Sequence, residues 1–350
     1  MFKKILLVLL CILFVLGCGC KKAPEALSVD REDDPSIPQE VVTEPDYSIN
    51  PLTGLKNLEV GKEKDRPVAV TINNVAIAQP VQTGLGKADI VYETEVEGGI
   101  TRLVAVYQDI SKVEKIGTVR SARYAFIDLA MGHNAIYVHH GQDSKHAGKH
   151  LNDVDRFVVD KNNGGARISN GLNSEHTLYA YGDNLWKEIK NDGFKTEAKD
   201  TTTWQDFANI NNPVMFENLA NKISVSFSNS YTTTMEFDTK TGSYKRIFNN
   251  TERKDYVTKE NLYFKNFIVL STTIRTYPDC NDGKGHKEVF LESGDGIYFV
   301  NGTYTPIKWK KGSASKPFVF TLEDGTNLKL NPGNTWVCIA DKNRSRPVIE

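Results

Sequence analysis

Two arginines lie in a short segment that is predicted to lead into a helix. Arg120 and Arg123 belong to the run IGTVRSAR at 116–123, where Ser121 can cap a helix that begins near Ala122. A cation at a helix start is unfavourable by about 0.3–1 kcal/mol, because the helix dipole is positive there. The segment therefore predicts an anion, which is either a ligand bound by Arg120, Arg123 and Ser121 or a carboxylate of the protein itself.

Asp128 is the carboxylate that the local sequence offers for this role. It interrupts an apolar run of helical length between Tyr124 and Met131. Buried charges are rarely left without a partner, so an ion pair between an arginine and Asp128 is the structural alternative to a ligand site. The sequence leaves both alternatives open.

A second group of charged residues lies on a predicted hairpin. Strand-like runs flank the pair Gly98 and Gly99, and a two-residue turn there would pair Glu95 with Arg102. This register places Glu93, Glu95, Glu97 and Arg102 on one face. The face is either the solvated side of an antiparallel sheet, which we favour, or a row of carboxylates that could hold Mg²⁺ or Ca²⁺. Because an arginine already faces Glu95, we predict no metal site.

Six of the seven histidines lie between residues 133 and 176. His139 and His140 are adjacent on a predicted strand and point to opposite faces, so at most one of them can share a pocket with Arg120. His146 and His150 are four residues apart, but HAGKH lacks the glutamate of the HExxH motif, which favours solvated helix histidines. The residues predicted to act as bases or to line a ligand are Glu93, Glu95, Arg102, Asp128, His139, His140 and His176.

A buried strand is predicted ahead of the hairpin. The continuous apolar run VAVTI at 68–72 follows Pro67 and is itself followed by Asn73 and Asn74. Polar residues at strand ends often line sites, but asparagine is also a common turn residue, and a turn is the interpretation we favour.

The first residues have the pattern of a lipoprotein signal. Lys3 and Lys4 precede an apolar segment that is too short to cross a bilayer, which takes about 20 residues. The segment ends in VLGC, which resembles the lipobox of bacterial lipoproteins, in which the cysteine is lipidated. We predict a signal peptide at 1–17, a palmitate-bearing Cys18 that anchors the protein to the extracytoplasmic face of the cell membrane, and an acidic, proline-rich tether at 18–48.

The rest of the chain has the length of two folded domains. A net charge of −1 over 350 residues gives no overall attraction to nucleic acid. The predicted fold class is α+β, with a mixed α/β domain at 49–198 and a smaller, mostly antiparallel β domain at 199–350. Cys280 and Cys338 could form a disulfide in an oxidising compartment or remain as buried thiols.

Several segments resemble those of the YerB-like bacterial lipoproteins. In the first half these are RPVAVTINN at 66–74, KADIVYETEVEGGITRLVAVY at 87–107, IGTVRSAR at 116–123 and AIYVHHG at 135–141. In the second half they are DGKGHKEVF at 282–290, GDGIYFVNGTYTPIKW at 294–309 and DGTNLKLNPGNTWVCIA at 324–340. The resemblance implies a two-domain extracytoplasmic lipoprotein and implies no reaction. A fainter similarity to the LytR-CpsA-Psr cell-wall ligases, whose arginines grip a lipid pyrophosphate, indicates only a class of ligand.

Three functions are compatible with these patterns. The first is a binding protein for an anionic, phosphate-containing envelope component, such as a wall polymer or a lipid-linked precursor. The second is a phosphotransferase or metal-assisted hydrolase that acts on such material and needs a base near the arginines. The third is a protein-interaction module without a small ligand. The sequence does not decide whether the protein is an enzyme and assigns no cofactor.

Overall fold

One sheet of eleven strands runs through the structure and takes strands from both halves of the chain. This computed structural model describes residues 46–199, 203–280 and 283–350. The predicted signal peptide at 1–17, Cys18 and the predicted tether up to residue 45 lie outside the described residues. In the part of the chain that is described, no helix is long and apolar enough to cross a membrane.

The secondary structure is dominated by short strands. The strands of the first half are β1 (Tyr47–Ile49), β2 (Lys56–Glu59), β3 (Val68–Asn73), β4 (Ile90–Glu95), β5 (Thr101–Tyr107), β6 (Ile116–Gly117), β7 (Ile136–His139), β8 (Arg156–Val158), β9 (Gly165–Arg167) and β10 (Leu178–Ala180). Those of the second half are β11 (Asp206–Phe207), β12 (Asn218–Leu219), β13 (Lys222–Ser228), β14 (Tyr231–Asp238), β15 (Ser243–Phe248), β16 (Thr251–Glu252), β17 (Tyr263–Phe264), β18 (Asn266–Thr272), β19 (Ile274–Thr276), β20 (Lys287–Val289), β21 (Ser293–Val300), β22 (Thr303–Lys310), β23 (Val319–Thr321), β24 (Lys329–Leu330), β25 (Thr335–Asp341) and β26 (Val348–Ile349). The α-helices are α1 (Tyr124–Met131), α2 (Ala147–His150) and α3 (Gly182–Asn191).

The large sheet mixes parallel and antiparallel pairs. Its order is β12-β22-β21-β18-β25-β4-β5-β3-β7-β8, with β23 paired to β22. Parallel pairs join β18 to β25, β25 to β4, β3 to β7 and β7 to β8. Because β25 pairs directly with β4, the two halves of the chain share one sheet and form one compact unit within the described residues.

Both faces of the large sheet are covered. A six-stranded sheet, with the order β16-β15-β14-β13-β26 and β17 paired to β15, packs on one face together with α3. In α3, Leu185 and Ile189 are four residues apart and lie on the buried side of the helix. Helix α1 packs on the other face through Phe126 and Leu129, beside Trp309 from the second half. The predicted α+β class is confirmed, although the first half contains more strand than helix.

The register of the hairpin formed by β4 and β5 is shifted by one residue from the predicted one. Its turn takes three residues, with Gly98 and Gly99 at φ values of 72° and 68°. Thr101 lies opposite Glu95 in place of the predicted Arg102, so the predicted pair is wrong. Because side chains alternate along a strand, the shift places Arg102 on the opposite face from Glu95.

The prediction of a solvated hairpin face is also wrong. Glu93 is 0% exposed, because the six-stranded sheet covers this face of the hairpin. Its Oε1 accepts hydrogen bonds from Asn74 Nδ2 at 3.0 Å and Thr101 Oγ1 at 2.7 Å, and its Oε2 accepts one from Thr233 Oγ1 at 2.8 Å. The carboxylate is therefore occupied by neutral donors from both halves of the chain and does not belong to a row of metal ligands.

Cys280 and Cys338 are both described, and they are not joined by a disulfide. Cys338 is fully buried in β25, with its Sγ 3.9 Å from Glu93 Oε2. Cys280 lies in a loop, where its Sγ accepts a hydrogen bond from the His286 N–H at 3.3 Å. A thiol at the centre of the sheet and one in a surface loop have no common geometry for a bond.

Candidate functional site

The carboxyl ends of several strands meet at one edge of the large sheet. β3 is parallel to β7, β25 is parallel to β4, and both β3 and β4 run antiparallel to β5 between them. In open α/β sheets, ligands bind beyond the carboxyl ends of the strands, where side chains from several strands converge. This edge carries Asn73, Glu95 and His139, the last residues of β3, β4 and β7.

Three arginines come together at this edge, and we call them the arginine cluster. Arg102 lies at the start of β5, while Arg120 and Arg123 belong to the segment between β6 and α1. Helix α1 begins at Tyr124, with Arg123 in extended conformation before it and no side-chain cap. The predicted cap at Ser121 is therefore wrong, and the arginines approach the edge from an extended segment.

The backbone of this segment is already hydrogen-bonded within the protein. The Arg120 N–H donates to a carbonyl oxygen of β3 at 3.0 Å, and the Ala122 N–H donates to the Gly141 carbonyl at 3.0 Å. The carbonyl oxygen of Ser121 accepts a hydrogen bond from Arg102 Nη1 at 2.9 Å. Ser121 therefore positions Arg102, and the guanidinium groups rather than these backbone N–H groups are available for an anion.

Arg123 is paired with Glu97 in the hairpin turn. Its Nε donates to Glu97 Oε2 at 2.8 Å and its Nη2 donates to Oε1, while Arg102 Nη2 lies 3.3 Å from the same Oε1. Burial alone would raise the pKa of Glu97, but the hydrogen bond from Arg123 and the charge of Arg102 lower it to about 2. Glu97 thus provides the anion that the sequence predicts, and the predicted ion pair with Asp128 is wrong.

The cluster contains more positive than negative charge. Arg102 is 3% exposed, and burial together with the charges of Arg123 and Arg120 lowers the pKa of its guanidinium to about 9, against the opposing effect of Glu97. Within the described part of the chain, its Nε has no hydrogen-bond partner. Because three guanidinium groups face two carboxylates, the largely buried Glu97 and the exposed Glu175, a further anion would be stabilised here.

Arg120 is the most exposed member of the cluster. Its side chain is 22% exposed, against 12% for Arg123 and 4% for Arg102. Its Nη2 donates to Glu175 Oε2 at 2.9 Å, and its Nε has no partner among the residues described. The Glu175 side chain is 52% exposed, and ion pairs of such exposure contribute only about 0–1 kcal/mol. An incoming anion can therefore displace Glu175 from Arg120 at little cost.

His176 lies beside Arg120, as a residue predicted to line a ligand would. Its Nδ1 is 2.8 Å from Asn73 Nδ2, and its Nε2 is 3.4 Å from Glu175 Oε1. Burial lowers its pKa, and the charge of Arg120 lowers it further against the opposing effect of Glu175. A neutral imidazole at this position adds a polar group to the site without adding to its positive charge.

His139 and His140 have separate partners. His139 stacks on Tyr137 with ring centroids 5.4 Å apart, and its Nδ1 is 2.8 Å from the Gly141 carbonyl oxygen. Burial lowers the pKa of His139 to about 4, so the ring is neutral at neutral pH. The His140 N–H donates to the Arg120 carbonyl at 3.1 Å, and its ring contacts other backbone and side-chain groups. Both histidines bond to residues at this edge of the sheet. In the described structure, neither ring forms a hydrogen bond to the arginine cluster.

Comparisons with known proteins place this architecture. The family described as protein of unknown function (DUF3048) matches through its N-terminal domain at residues 52–195 and through its C-terminal domain at residues 223–337. A relative named "Putative lipoprotein YerB", from Bacillus subtilis (strain 168), is 31% identical over 313 residues, which are 83% of this chain and 85% of the relative. A crystal structure of the YerB protein from Bacillus subtilis superposes with a TM-score of 0.71 at 29% identity, covering 85% of this chain and 98% of that chain.

The chain belongs to the DUF3048 family. The resemblance to YerB-like lipoproteins that the sequence motifs indicate is thereby confirmed. The family description assigns no activity, so the function of this DUF3048 protein has to be inferred from the chemistry of its own residues.

The predicted carboxylate bases of this DUF3048 protein lie apart from the arginine cluster. Glu95 is 2% exposed and bonds to two residues of the second half, with Lys287 Nζ at 3.1 Å and Arg344 Nη2 at 2.7 Å. Asp128 on α1 accepts a hydrogen bond from His150 Nε2 at 2.6 Å. Glu93 lies on the other face of the sheet from the cluster. In the described residues, none of these three carboxylates bonds to an arginine of the cluster.

His286 is a member of the site that sequence reasoning missed. Its Nδ1 lies 3.5 Å from Glu97 Oε2, and its Nε2 lies 3.7 Å from Asp143 Oδ1. Asp143 Oδ2 is in turn 3.2 Å from His146 Nδ1. A chain of alternating acids and imidazoles therefore leads from the arginine cluster to α2. His286 lies far from the other histidines in the sequence, and it belongs to the segment at 282–290 that carries the family resemblance without a role assigned to it.

His150 on α2 is held between two carboxylates. Its Nε2 lies 2.6 Å from Asp128 Oδ1 and its Nδ1 lies 2.9 Å from Asp153 Oδ2, an arrangement in which only the doubly protonated ring donates to both. Burial alone would lower the pKa of His150, but the hydrogen bonds to Asp128 and Asp153 raise it above 6.5. The prediction that His146 and His150 are solvated helix histidines is wrong, because both side chains are only 10% exposed.

We expect His150 to make the protein less stable as the pH rises. Because its folded-state pKa is raised, its contribution to stability is fully present below the unfolded value of about 6.5 and is lost as the pH rises through the folded-state pKa. Burial raises the pKa of Asp89 to about 6, which acts in the same direction, so a His150→Asn variant is the necessary reference. Urea unfolding should be measured from below pH 6.5 to above the folded-state pKa of His150. The free energy of unfolding should decline more steeply with pH for the wild type than for the variant. Parallel declines would contradict the assignment.

Proposed function

We propose that this protein is a lipoprotein, anchored through Cys18 to the extracytoplasmic face of the cell membrane, that binds an anionic, phosphate-containing component of the cell envelope through the arginine cluster. The Bacillus subtilis relative carries the name of a lipoprotein, and the sequence VLGC at 15–18 supports the same anchor for this chain. Cys18 lies outside the described residues, so the anchor rests on the sequence and the relative.

The observation that carries the proposal is the charge imbalance at the carboxyl edge of the sheet. Arg102 and Arg123 share Glu97, Arg120 has only the exposed Glu175, and the pKa of Arg102 falls to about 9 through burial and the neighbouring guanidinium groups. A bound anion would relieve this repulsion. Guanidinium forks match the geometry of phosphate oxygens, which can accept several charge-assisted hydrogen bonds at once.

Glu175 indicates how a ligand would enter. It places a carboxylate on the most exposed arginine of the cluster, in the position that one oxygen of a phosphate would take. A phosphate carries more charge and more acceptor atoms than Glu175, so it competes well for Arg120. The buried pair of Arg123 and Glu97 would remain intact during this exchange and would hold the edge in place.

Binding, rather than catalysis, is the function that the arrangement supports. A phosphotransferase or hydrolase needs a base close to the bound phosphate. The carboxylates predicted for that role, Glu93, Glu95 and Asp128, bond to other groups. The rings of His139, His140 and His176 contact groups outside the arginine cluster. The arginines, in contrast, converge.

We expect Arg120→Ala to weaken the binding of inorganic pyrophosphate by about 10- to 30-fold, the equivalent of one charge-assisted hydrogen bond of about 1.5–2 kcal/mol. Calorimetric titration of the purified protein without its lipid anchor would measure the change. Glu175→Gln should tighten binding several-fold, because it removes the charge that competes for Arg120.

Lys112→Ala is the matched control for this experiment. Lys112 forms an exposed ion pair with Glu59 at 2.6 Å, beyond the carboxyl end of β5 and therefore at the opposite edge of the sheet. Its removal should leave pyrophosphate affinity unchanged. Equal affinities for the wild type and Arg120→Ala would overturn the proposal, and so would an equal loss in Lys112→Ala, which would indicate non-specific attraction.

A further inference from the structure

A groove of about 330 Å³ lies beside the arginine cluster, and we call it the tyrosine groove. Its walls are formed by Tyr124, Lys145, His146, Lys149, His150, Asp153 and Tyr277. Tyr124 directly follows Arg123 in the chain and opens α1, so the groove begins one residue from the cluster.

The walls of the groove are held in place by stacking and ion pairs. His150 stacks on Tyr124 with centroids 4.1 Å apart and an interplanar angle of 13°, and His146 stacks on Tyr277 at 3.8 Å and 8°. His146 Nε2 also lies 2.9 Å from Asp279 Oδ1. Both imidazoles are thus fixed from two directions, and a ligand would meet walls that need little ordering.

The chemistry of the walls selects a particular kind of ligand. Tyr124 and Tyr277 are the tyrosines of the lining, each with one ring face stacked on an imidazole, and every residue that lines the groove ends in a polar group. A hydrocarbon tail would leave those groups unpaired. A sugar ring, with a flat C–H face and hydroxyls around its rim, satisfies both kinds of surface.

The groove and the arginine cluster are connected through His286 and Glu97. The imidazole of His286 lies 3.5 Å from Glu97 Oε2, and its ring centroid lies 6.2 Å from that of His146 in the groove wall. Glu97 in turn bonds to Arg123. His286 and Glu97 therefore connect the groove wall to Arg123, so the groove and the arginine cluster are neighbours in the structure.

We infer that the tyrosine groove binds the sugar ring of a phosphate-linked saccharide whose phosphate is held by the arginine cluster. The inference rests on the proposed function and adds the chemical class of its ligand. Tyr124 and Tyr277 pack on the ring, Lys149 and Asp153 bond to its hydroxyls, and the arginine cluster binds the phosphate.

The test compares ligands that share a phosphate and differ in what it carries. Glucose 1-phosphate, N-acetylglucosamine 1-phosphate, glycerol 1-phosphate and uridine 5′-monophosphate are titrated into the protein at one pH and salt concentration. We expect at least one sugar phosphate to bind about tenfold tighter than glycerol 1-phosphate, as one aromatic contact and one hydrogen bond would provide. Tyr277→Ala should remove that gain and leave glycerol 1-phosphate unaffected.

Lys149→Ala is the second variant, because an exposed lysine can be removed without unfolding the protein. It should reduce the gain for the sugar phosphate several-fold, while Lys187→Ala, an exposed lysine on α3, should not. Sugar phosphates that bind no tighter than glycerol 1-phosphate, or a gain that survives both groove variants, would overturn the inference. Tighter binding of the nucleotide that depends on Tyr277 would overturn it as well. If neither pyrophosphate nor glycerol 1-phosphate binds, the arginine cluster itself is not an anion site, and the proposed function fails first.

Discussion

Glu93→Ala is expected to lower the free energy of unfolding by about 3–5 kcal/mol, the range for removing one charge of a buried network. Glu93 is fully buried and accepts hydrogen bonds from Asn74, Thr101 and Thr233. The guanidinium of Arg246 is also fully buried, donates to Asn74 Oδ1 at 3.1 Å and lies 4.7 Å from the centroid of the Trp336 ring. Without Glu93, three donors lose their acceptor and the positive charge of Arg246 remains in the core.

The measurement is urea unfolding with two reference variants. Glu93→Gln keeps the shape and one acceptor oxygen, so it should lose less stability than Glu93→Ala while still removing the negative charge near Arg246. Glu114→Ala removes an exposed glutamate and should change the free energy of unfolding by no more than about 0.5 kcal/mol. A loss below about 1 kcal/mol in Glu93→Ala would show that the buried network does not hold the halves together.

Arg123→Ala is expected to cost about 2–3 kcal/mol of stability, whereas Arg120→Ala should cost less than about 1 kcal/mol. Arg123 is 12% exposed and bonds to both oxygens of Glu97, which would keep only its weaker contacts with Arg102 at 3.3 Å and His286 at 3.5 Å. Arg120 instead pairs with the exposed Glu175.

The pair of Arg123 and Glu97 also predicts a pH dependence. The pKa of Glu97 is lowered from 4.5 to about 2, so the stability it contributes is present above about pH 4.5 and is lost as the pH falls towards 2. A double-mutant cycle with Glu97→Gln should therefore show coupling at neutral pH that disappears in acid. Equal losses in the free energy of unfolding for Arg123→Ala and Arg120→Ala would contradict the prediction that Arg123 is the structural arginine.

The sequence leaves open whether the arginines bind a ligand anion or a carboxylate of the protein. The structure pairs Arg123 with a carboxylate of the protein and leaves Arg120 for a ligand anion. An anion near the arginines is expected from their position alone, but the chain supplies a buried carboxylate to Arg123 and only an exposed one to Arg120. Arg123 therefore has a structural role, whereas Arg120 has a partner that a ligand can replace. Arg123 can thus stabilise this edge of the sheet while Arg120, three residues earlier in the chain, binds an anion that exchanges.

The amino-acid sequence by itself determined the features that depend on neighbours in the chain. The run VAVTI at 68–72 has the apolar character of a strand buried on both sides, and β3 is buried along its length. Glycines between two strand-like runs located the hairpin of β4 and β5, and the motifs of both halves identified the family. Periodicity, turn residues and motifs are local, so they are readable without a structure.

The tertiary structure alone decided the partners of the charged residues. Adding one residue to the turn at Gly98 and Gly99 moves Arg102 to the face opposite Glu95, since side chains alternate along a strand. Covering the sheet with strands of the second half turned a face that reads as solvated into a core that contains Glu93. The approach of Glu97 and His286 to one another depends on the path of the whole chain, because charges interact through space and not along the sequence.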